Sequence, residues 1–125
     1  MCAAARPAEP ARLSVDAARG LLDGRSERYE KRLADLAGVY RDEAAFTEAL
    51  GRDTGDPVYW VESSTPETGR GALTIGLSVL RAGRIGDEFA MTRGHLHAQS
   101  EFAELYYGLS GSGVMLLESI DGESR

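Results

Sequence analysis

A strict alternation of apolar and polar side chains between residues 73 and 79 constrains the fold more than any other feature of this sequence. Leu73, Ile75, Leu77 and Val79 occupy every second position, with small or hydroxyl-bearing residues between them. A period of two is typical of a β-strand with one buried face, because successive side chains of a strand point to opposite sides of the sheet. The pattern therefore predicts a strand that pairs with neighbours and packs on a core.

Other segments after Asp53 also have strand character and are separated by turns. The Ser-Gly-Ser-Gly run at residues 110–113 predicts a hairpin turn between the last two strands. Short strands at roughly even spacing indicate an antiparallel sandwich or barrel. The five predicted strands are residues 58–62, 73–79, 88–92, 104–109 and 114–118.

Before Asp53 the patterns are helical or irregular, and residues 1–12 are predicted to be a disordered tail. Ser14 and Asp42 stand where N-cap residues of the first and third of three short helices would lie. None of these helices is long enough to be stable alone, so each must pack on the rest of the domain. The predicted helices are residues 14–22, 27–36 and 43–50.

Composition excludes several classes of protein. A formal net charge of −6 and a pI of about 4.9 argue against a nucleic-acid partner, since no basic stripe is available to neutralise phosphates. The longest apolar runs are far too short to span a bilayer. The single cysteine, Cys2, cannot form an intramolecular disulfide, which suits a reducing cytoplasm.

The two histidines of the chain, His95 and His97, lie two residues apart. On a strand both imidazoles would lie on one face, as a chelating pair for a transition metal. Either Glu101 or Glu104 could add an oxygen ligand, and Glu104 is favoured because it begins a strand-like run and would share a face with Tyr106. The alternative interpretation is a solvated surface pair. The spacing does not choose among Fe(II), Mn(II), Ni(II) and Zn(II).

Thr92, Arg93 and Gly94 directly precede the first histidine. A hydroxyl, a cation and a backbone amide without a side chain are together suited to hold an anion such as phosphate. The alternative interpretation is a turn with a solvated arginine, since a motif of three residues is weak evidence alone.

Two longer runs carry a family resemblance: residues 86–98 read GDEFAMTRGHLHA, and residues 103–113 read AELYYGLSGSG. They resemble the cupin-type phosphoglucose isomerases, the small metal-dependent glucose-6-phosphate isomerases of archaea and some bacteria. The spacing from Glu104 to Gly111 matches the general cupin signature. The resemblance covers residues from about 32 to about 117. It implies a mainly β cupin fold, a double-stranded β-helix or jelly-roll barrel, with short N-terminal helices.

The same resemblance implies a divalent transition metal and a sugar phosphate substrate in a cytoplasmic homodimer. It assigns the metal to His95, His97 and Glu104, and it makes Glu104 and Tyr106 the catalytic candidates. The residues that it assigns to substrate binding are Tyr59, Ser78, Thr92 and Gly94, with Tyr106 also lining the sugar. The implied reaction interconverts glucose 6-phosphate and fructose 6-phosphate, a step of glycolysis and gluconeogenesis.

The family's fourth metal ligand is a histidine on a later strand, and this chain has no third histidine. We expect residues 13–125 to be the N-terminal portion of a single, incomplete cupin domain, because five strands leave half a barrel with unpaired edges. A short protein whose site is completed by water or by another subunit is the alternative. A non-catalytic cupin module that binds a metal or a sugar phosphate, or an inactive fragment, is the competing function.

Overall fold

The computed structural model describes residues 12–24, 26–65, 72–97, 103–119 and 122. The tail predicted for residues 1–12 lies outside this set, apart from Arg12. Every pairing among the described strands is antiparallel, which confirms the prediction of a mainly β protein. The described elements are β1 (Val15–Asp16), β2 (Leu21–Leu22), β3 (Glu27–Arg32), a 3₁₀ helix (Leu33–Leu36), α1 (Glu43–Gly51), β4 (Pro57–Ser64), β5 (Ile75–Leu80), β6 (Arg84–Ile85) and β7 (Glu88–Phe89).

The described strands form three separate sheets. The largest has the order β3-β4-β5, while β1 pairs with β2 and β6 pairs with β7. In the largest sheet Trp60 of β4 lies between Glu30 of β3 and Val79 of β5. Within the described part of the chain these sheets do not close into a barrel, in keeping with the expectation of an incomplete one.

The alternation of apolar side chains is confirmed in β5. Leu77 is buried and Ile75 and Val79 are half-buried, whereas Gly76 and Ser78 are exposed. The strand begins two residues later than predicted, and Leu73 lies outside it and is exposed. The strand predicted at residues 58–62 is also present, extended to Pro57–Ser64.

One hydrophobic cluster joins the 3₁₀ helix, the largest sheet and the β6–β7 hairpin. Leu36 is 0% exposed and Tyr59 of β4 is 4% exposed. Phe46 of α1 stacks on the ring of Tyr40 with 5.8 Å between ring centroids, which attaches the α-helix to the same cluster. The buried members are Leu33, Leu36, Tyr40, Tyr59 and Ile85.

The prediction of a helix at residues 14–22 is wrong, because this segment is the β1–β2 hairpin. The Asp16 carboxylate does accept a backbone hydrogen bond three residues on, from Arg19 N–H at 3.1 Å, but the bond closes a turn rather than a helix. Gly20 has a φ of +64°, and a Cβ there would meet Val79 Cγ2 at 2.6 Å and Trp60 Cζ2 at 2.8 Å. The close approach of Gly20 to β4 and β5 therefore determines the hairpin conformation of this segment.

The prediction of one helix over residues 27–36 is also wrong. Residues Glu27–Arg32 form β3, and only Leu33–Leu36 are helical, as a single 3₁₀ helix. The spacing of Leu33 and Leu36 is a correct signal, since both side chains are buried, but Tyr29 is exposed. Pairing along β4 supplies the backbone partners of this segment and overrides its local helical preference.

The third helix is confirmed as α1, one residue longer than predicted. The Asp42 side chain accepts a hydrogen bond from Ala45 N–H at 2.9 Å, as expected of an N-cap. Phe46 packs on the core, but Leu50 is exposed. None of the helices in the described residues is long and apolar enough to cross a membrane.

Three strand predictions in the second half of the chain need correction. The strand at residues 88–92 is shortened to β7 (Glu88–Phe89). The strands predicted at residues 104–109 and 114–118 do not form, and only Glu118 makes an isolated bridge. Their apolar side chains are exposed, because no other strand of the described residues pairs with them.

A buried carboxylate fastens the β1–β2 hairpin to β4. Glu62 is 5% exposed, and its side chain accepts a hydrogen bond from Leu22 N–H at 2.6 Å. Arg28 lies 3.4 Å from the other carboxylate oxygen and stacks over the Trp60 ring at 4.7 Å. Trp60 Nε1–H in turn donates to the Gly20 carbonyl at 2.9 Å. These contacts attach a hairpin that is too short to be stable alone.

Replacing Glu62 with alanine is expected to lower the free energy of unfolding by about 1–3 kcal/mol, because the buried Leu22 N–H loses its acceptor. Urea denaturation followed by circular dichroism measures the change. Glu48→Ala is the matched control, since among the described residues Glu48 forms its ion pair with Arg52, on the exposed face of α1, and such pairs contribute about 0.3–0.5 kcal/mol. Equal losses in the two variants would contradict this role of Glu62.

Candidate metal centre

The predicted site lies just after the β6–β7 hairpin. Gly86 has a φ of +55° in the tight turn, and Ala90 N–H donates to the Gly83 carbonyl at 2.9 Å where the hairpin ends. Residues 90–97 then continue without strand or helix. The histidines are therefore carried by an irregular segment, without the strand geometry that was considered for their spacing.

Three potential metal ligands come together here, two from this segment and one, Glu104, from residues 103–119. His95, His97 and Glu104 each offer one ligand atom, and these atoms all lie within 4.8 Å of one another. The two imidazole rings stack with 5.4 Å between centroids and an interplanar angle of 25°, so both point to the same side. Glu104 Oε2 lies 2.8 Å from His97 Nε2. The predicted set is thus assembled, although Glu101 falls outside the described residues.

The set is open to solvent, with the side chains of His97 and Glu104 39% and 42% exposed. Tyr106 stands beside it. Partial burial raises the pKa of the Tyr106 phenol above its ordinary value of 10.0, and a side-chain hydrogen bond with Glu104 and the charge of that carboxylate raise it further. The strand face that Glu104 and Tyr106 were expected to share does not form, but the two side chains are in contact.

The donor set fits a divalent transition metal. Two imidazole nitrogens and one carboxylate oxygen form the two-histidine, one-carboxylate combination that leaves coordination positions open on Fe(II) and related ions. The ligand atoms lie within 4.8 Å of one another. Two atoms bound to one ion at about 2.0–2.2 Å are at most about 4.4 Å apart, so small side-chain movements would bring all three onto a single ion. The chemistry of the residues does not distinguish iron, manganese, nickel and zinc.

The residues predicted to bind the substrate lie in different parts of the structure and differ in burial. Tyr59 is buried in the core, and its hydroxyl accepts a hydrogen bond from Arg93 N–H at 3.4 Å. Ser78 is exposed on β5 opposite Val61. Thr92 and Gly94 are exposed in the segment that carries the histidines. The structure therefore connects Tyr59 to the site through the backbone of that segment.

Arg93 has a different role from the anion-binding cation that the sequence suggested. Its Nη2 donates to the backbone carbonyls of Asp35 at 3.2 Å and Ala37 at 2.9 Å. The guanidinium is thereby engaged with the end of the 3₁₀ helix. The sequence carries no local signal for this contact, because its partners lie 56 and 58 residues away along the chain.

Tyr40 also contacts the segment that carries the histidines, and no local sequence pattern predicts this contact. Its hydroxyl accepts a hydrogen bond from Met91 N–H at 3.4 Å. Burial raises the pKa of the Tyr40 phenol, the Met91 hydrogen bond lowers it, and the charge of Glu88 raises it. The phenol therefore stays protonated at neutral pH, and its oxygen remains available to Met91.

Replacing His95 or His97 with alanine is expected to weaken Mn(II) binding by more than about a hundredfold, beyond the range of about 10–100-fold typical of residues in the outer shell of a metal site. Isothermal titration calorimetry with Mn(II) measures the affinity. Glu118→Gln is the control, since this exposed carboxylate lies outside the ligand set. A histidine variant that binds Mn(II) as tightly as the unmodified chain would show that the set is not the metal site.

Comparisons with known proteins agree with the geometry. The family model described as "Glucose-6-phosphate isomerase (GPI)" matches residues 30–124. A protein of Rhizobium meliloti, named "Putative glucose-6-phosphate isomerase 2", is 46% identical over 117 residues, covering 94% of this chain and 58% of its own length. The glucose-6-phosphate isomerases of Sinorhizobium medicae and Thermococcus kodakarensis are 44% and 39% identical, covering 94% and 93% of this chain.

The chain spans 55% and 60% of the length of the last two relatives. The matched region includes β4, β5 and all three candidate ligands. The resemblance drawn from the sequence is confirmed, and this chain belongs to the glucose-6-phosphate isomerase family.

Proposed function

We propose that this chain carries the metal and substrate site of a metal-dependent aldose–ketose isomerase that interconverts glucose 6-phosphate and fructose 6-phosphate. The observation that carries the proposal is the convergence of His95, His97 and Glu104, inside the part of the chain that matches the family. A soluble, cytoplasmic homodimer is the setting that the resemblance implies for this activity. Sedimentation equilibrium would report the oligomeric state.

The chemistry requires a hydrogen to move between C1 and C2 of the sugar, together with a proton between the two oxygens, and no external oxidant or reductant. A divalent ion held by the three ligands would stabilise negative charge that develops on the sugar oxygens. Two routes remain compatible with these residues. In the first a carboxylate moves a proton through a cis-enediol, and in the second a hydride passes directly between the carbons.

Glu104 is the candidate base of the first route, and Tyr106 is its neighbour. In the proton-transfer route the Glu104 carboxylate removes the C2 proton and returns it to C1. The Tyr106 phenol, whose pKa lies above its ordinary value, remains protonated at neutral pH and can donate a hydrogen bond to a sugar oxygen. The contact between them would orient the carboxylate while the substrate is bound.

The phosphate of the substrate is assigned to Thr92, Gly94 and Ser78. Thr92 and Ser78 offer exposed hydroxyls, and nothing lies within 4 Å of the position that a Cβ of Gly94 would take. An anion can therefore approach the Gly94 backbone closely. Because the Arg93 guanidinium is engaged with backbone carbonyls, the proposal relies on neutral hydrogen-bond donors for the phosphate.

A second candidate function is binding without turnover. The exposure of the His97 and Glu104 side chains favours this candidate, because isomerases of this chemistry require water to be kept from the reacting carbons. A module of this kind would bind a divalent metal or a sugar phosphate and release it unchanged. The two functions share the ligand set and differ in the presence of turnover.

Turnover by the purified chain with Mn(II) or Fe(II) is the expected result if the proposed isomerase activity resides in these residues. A coupled assay that detects fructose 6-phosphate formed from glucose 6-phosphate measures it. Activity should disappear with a chelator and return when the metal is added back. Tight metal binding without any turnover would contradict the isomerase proposal and support the binding module.

Glu104→Gln is expected to lower kcat by about 10²–10⁴-fold, as for loss of a general base. Metal content of the same samples, measured by atomic emission, separates the two possible roles of Glu104. Loss of kcat with full metal content supports the base. Parallel loss of metal and activity leaves only the ligand role, and unchanged kcat with full metal content would exclude the base. Glu118→Gln is the matched control and should behave like the unmodified chain.

A further inference from the structure

The segment that carries the histidines, residues 90–97, has no strand or helix of its own to fix its position. Residues 90–97 make no strand pairing, and the nearest regular element before them is the two-residue strand β7. An irregular segment with exposed side chains is expected to open locally at little free-energy cost. A metal site needs its ligands held in place before the ion binds, so some other interaction must fix this segment.

The end of the 3₁₀ helix presents backbone carbonyls that require donors. The last carbonyl groups of any helix lack partners within that helix. The last turn here contains no basic residue of its own. Arg93 supplies the missing donor, because its Nη2 bonds to the carbonyls of Asp35 and Ala37. A cation at the C-terminal end of a helix is also electrostatically favoured.

The acceptors of this contact belong to a firmly held part of the fold. Leu33 and Leu36 fix the 3₁₀ helix in the core, and Leu36 is completely buried. Asp35 Oδ2 accepts a hydrogen bond from Arg32 N–H at 2.9 Å, which closes the other end of the same turn. A side chain bonded to these carbonyls is therefore tied to the core and not to a mobile loop.

Two buried tyrosines hold the backbone of the same segment. Met91 N–H donates to the Tyr40 hydroxyl and Arg93 N–H donates to the Tyr59 hydroxyl, both at 3.4 Å. Tyr40 and Tyr59 belong to the same core cluster as the 3₁₀ helix. The backbone and the side chain of one residue, Arg93, thus reach the core by separate routes, two positions before His95.

We propose that Arg93 is a positioning residue of the metal centre, whose guanidinium fixes the segment from Met91 to His97 on the 3₁₀ helix and so preorganises His95 and His97. The inference rests on the proposed metal site only for the second of the two measurements below, the Mn(II) affinity. Its first readout, the mobility of the segment, concerns the chain without metal. The contact is therefore testable whether or not the chain proves to be an isomerase.

Hydrogen exchange in the metal-free chain is the first measurement, comparing Arg93→Ala with Arg93→Lys and Arg52→Ala. The amides at positions 91 and 93, which donate to the Tyr40 and Tyr59 hydroxyls, should exchange about tenfold faster in Arg93→Ala, while those of β4 keep their rates. One nitrogen, Nη2, makes both of the Arg93 side-chain hydrogen bonds to the Asp35 and Ala37 carbonyls. The lysine ammonium can replace it, so Arg93→Lys should recover most of the protection. The Arg52 side chain pairs with Glu48 on the exposed face of α1 in the part of the chain that the structure describes, so Arg52→Ala should match the unmodified chain.

The second measurement is the Mn(II) affinity of the unmodified chain and of the same three variants, determined by electron paramagnetic resonance. The dissociation constant should rise about tenfold in Arg93→Ala, the lower end of the range for residues that orient metal ligands, and should be largely restored in Arg93→Lys. Unchanged exchange at positions 91 and 93 in Arg93→Ala would overturn the proposal, and so would faster exchange with unchanged affinity. An unmodified chain that binds no Mn(II) would refute the proposed function, while the exchange data would still decide the role of Arg93.

Discussion

The packing of Leu36 and Tyr59 in one core is the constraint on which the rest of the structure depends. Leu36 closes the 3₁₀ helix against the sheet, and Tyr59 places the middle of β4 in the same cluster. Ile85 brings the β6–β7 hairpin to it, and Phe46 brings α1. Because these elements share one small apolar core, a displacement of any one of them would disturb the packing of the others.

The candidate metal centre is built outward from that core by polar contacts. Tyr59 contributes its ring to the cluster and its hydroxyl to the Arg93 amide. The Arg93 guanidinium reaches the carbonyls at the end of the 3₁₀ helix. The ligands themselves, including His97 and Glu104, lie in solvent-exposed positions beyond these contacts. An irregular segment thereby gains a defined position without becoming part of a sheet, which explains how a ligand set can be assembled there.

Local patterns predict the elements whose determinants are local. The alternation around Leu77 is sufficient to identify β5, and the Asp42 side chain is sufficient to begin α1. The spacing of the two histidines indicates a chelating pair but leaves the carboxylate open between Glu101 and Glu104. The first two helix predictions fail because the carboxylate of Glu62 and the strand β4 decide those segments from across the fold. The role of Arg93 has no local signature for the same reason, since its partners are distant in sequence.

The proposed function depends on His95, His97 and Glu104 binding one divalent metal in this chain. Anomalous X-ray scattering at the manganese edge, from crystals of the chain grown with Mn(II), tests it most directly. We expect one strong anomalous peak within about 2.0–2.4 Å of a nitrogen of each histidine and of a Glu104 carboxylate oxygen. A peak on other residues, or full occupancy of manganese with these three side chains turned away from it, would show that they are not the ligands.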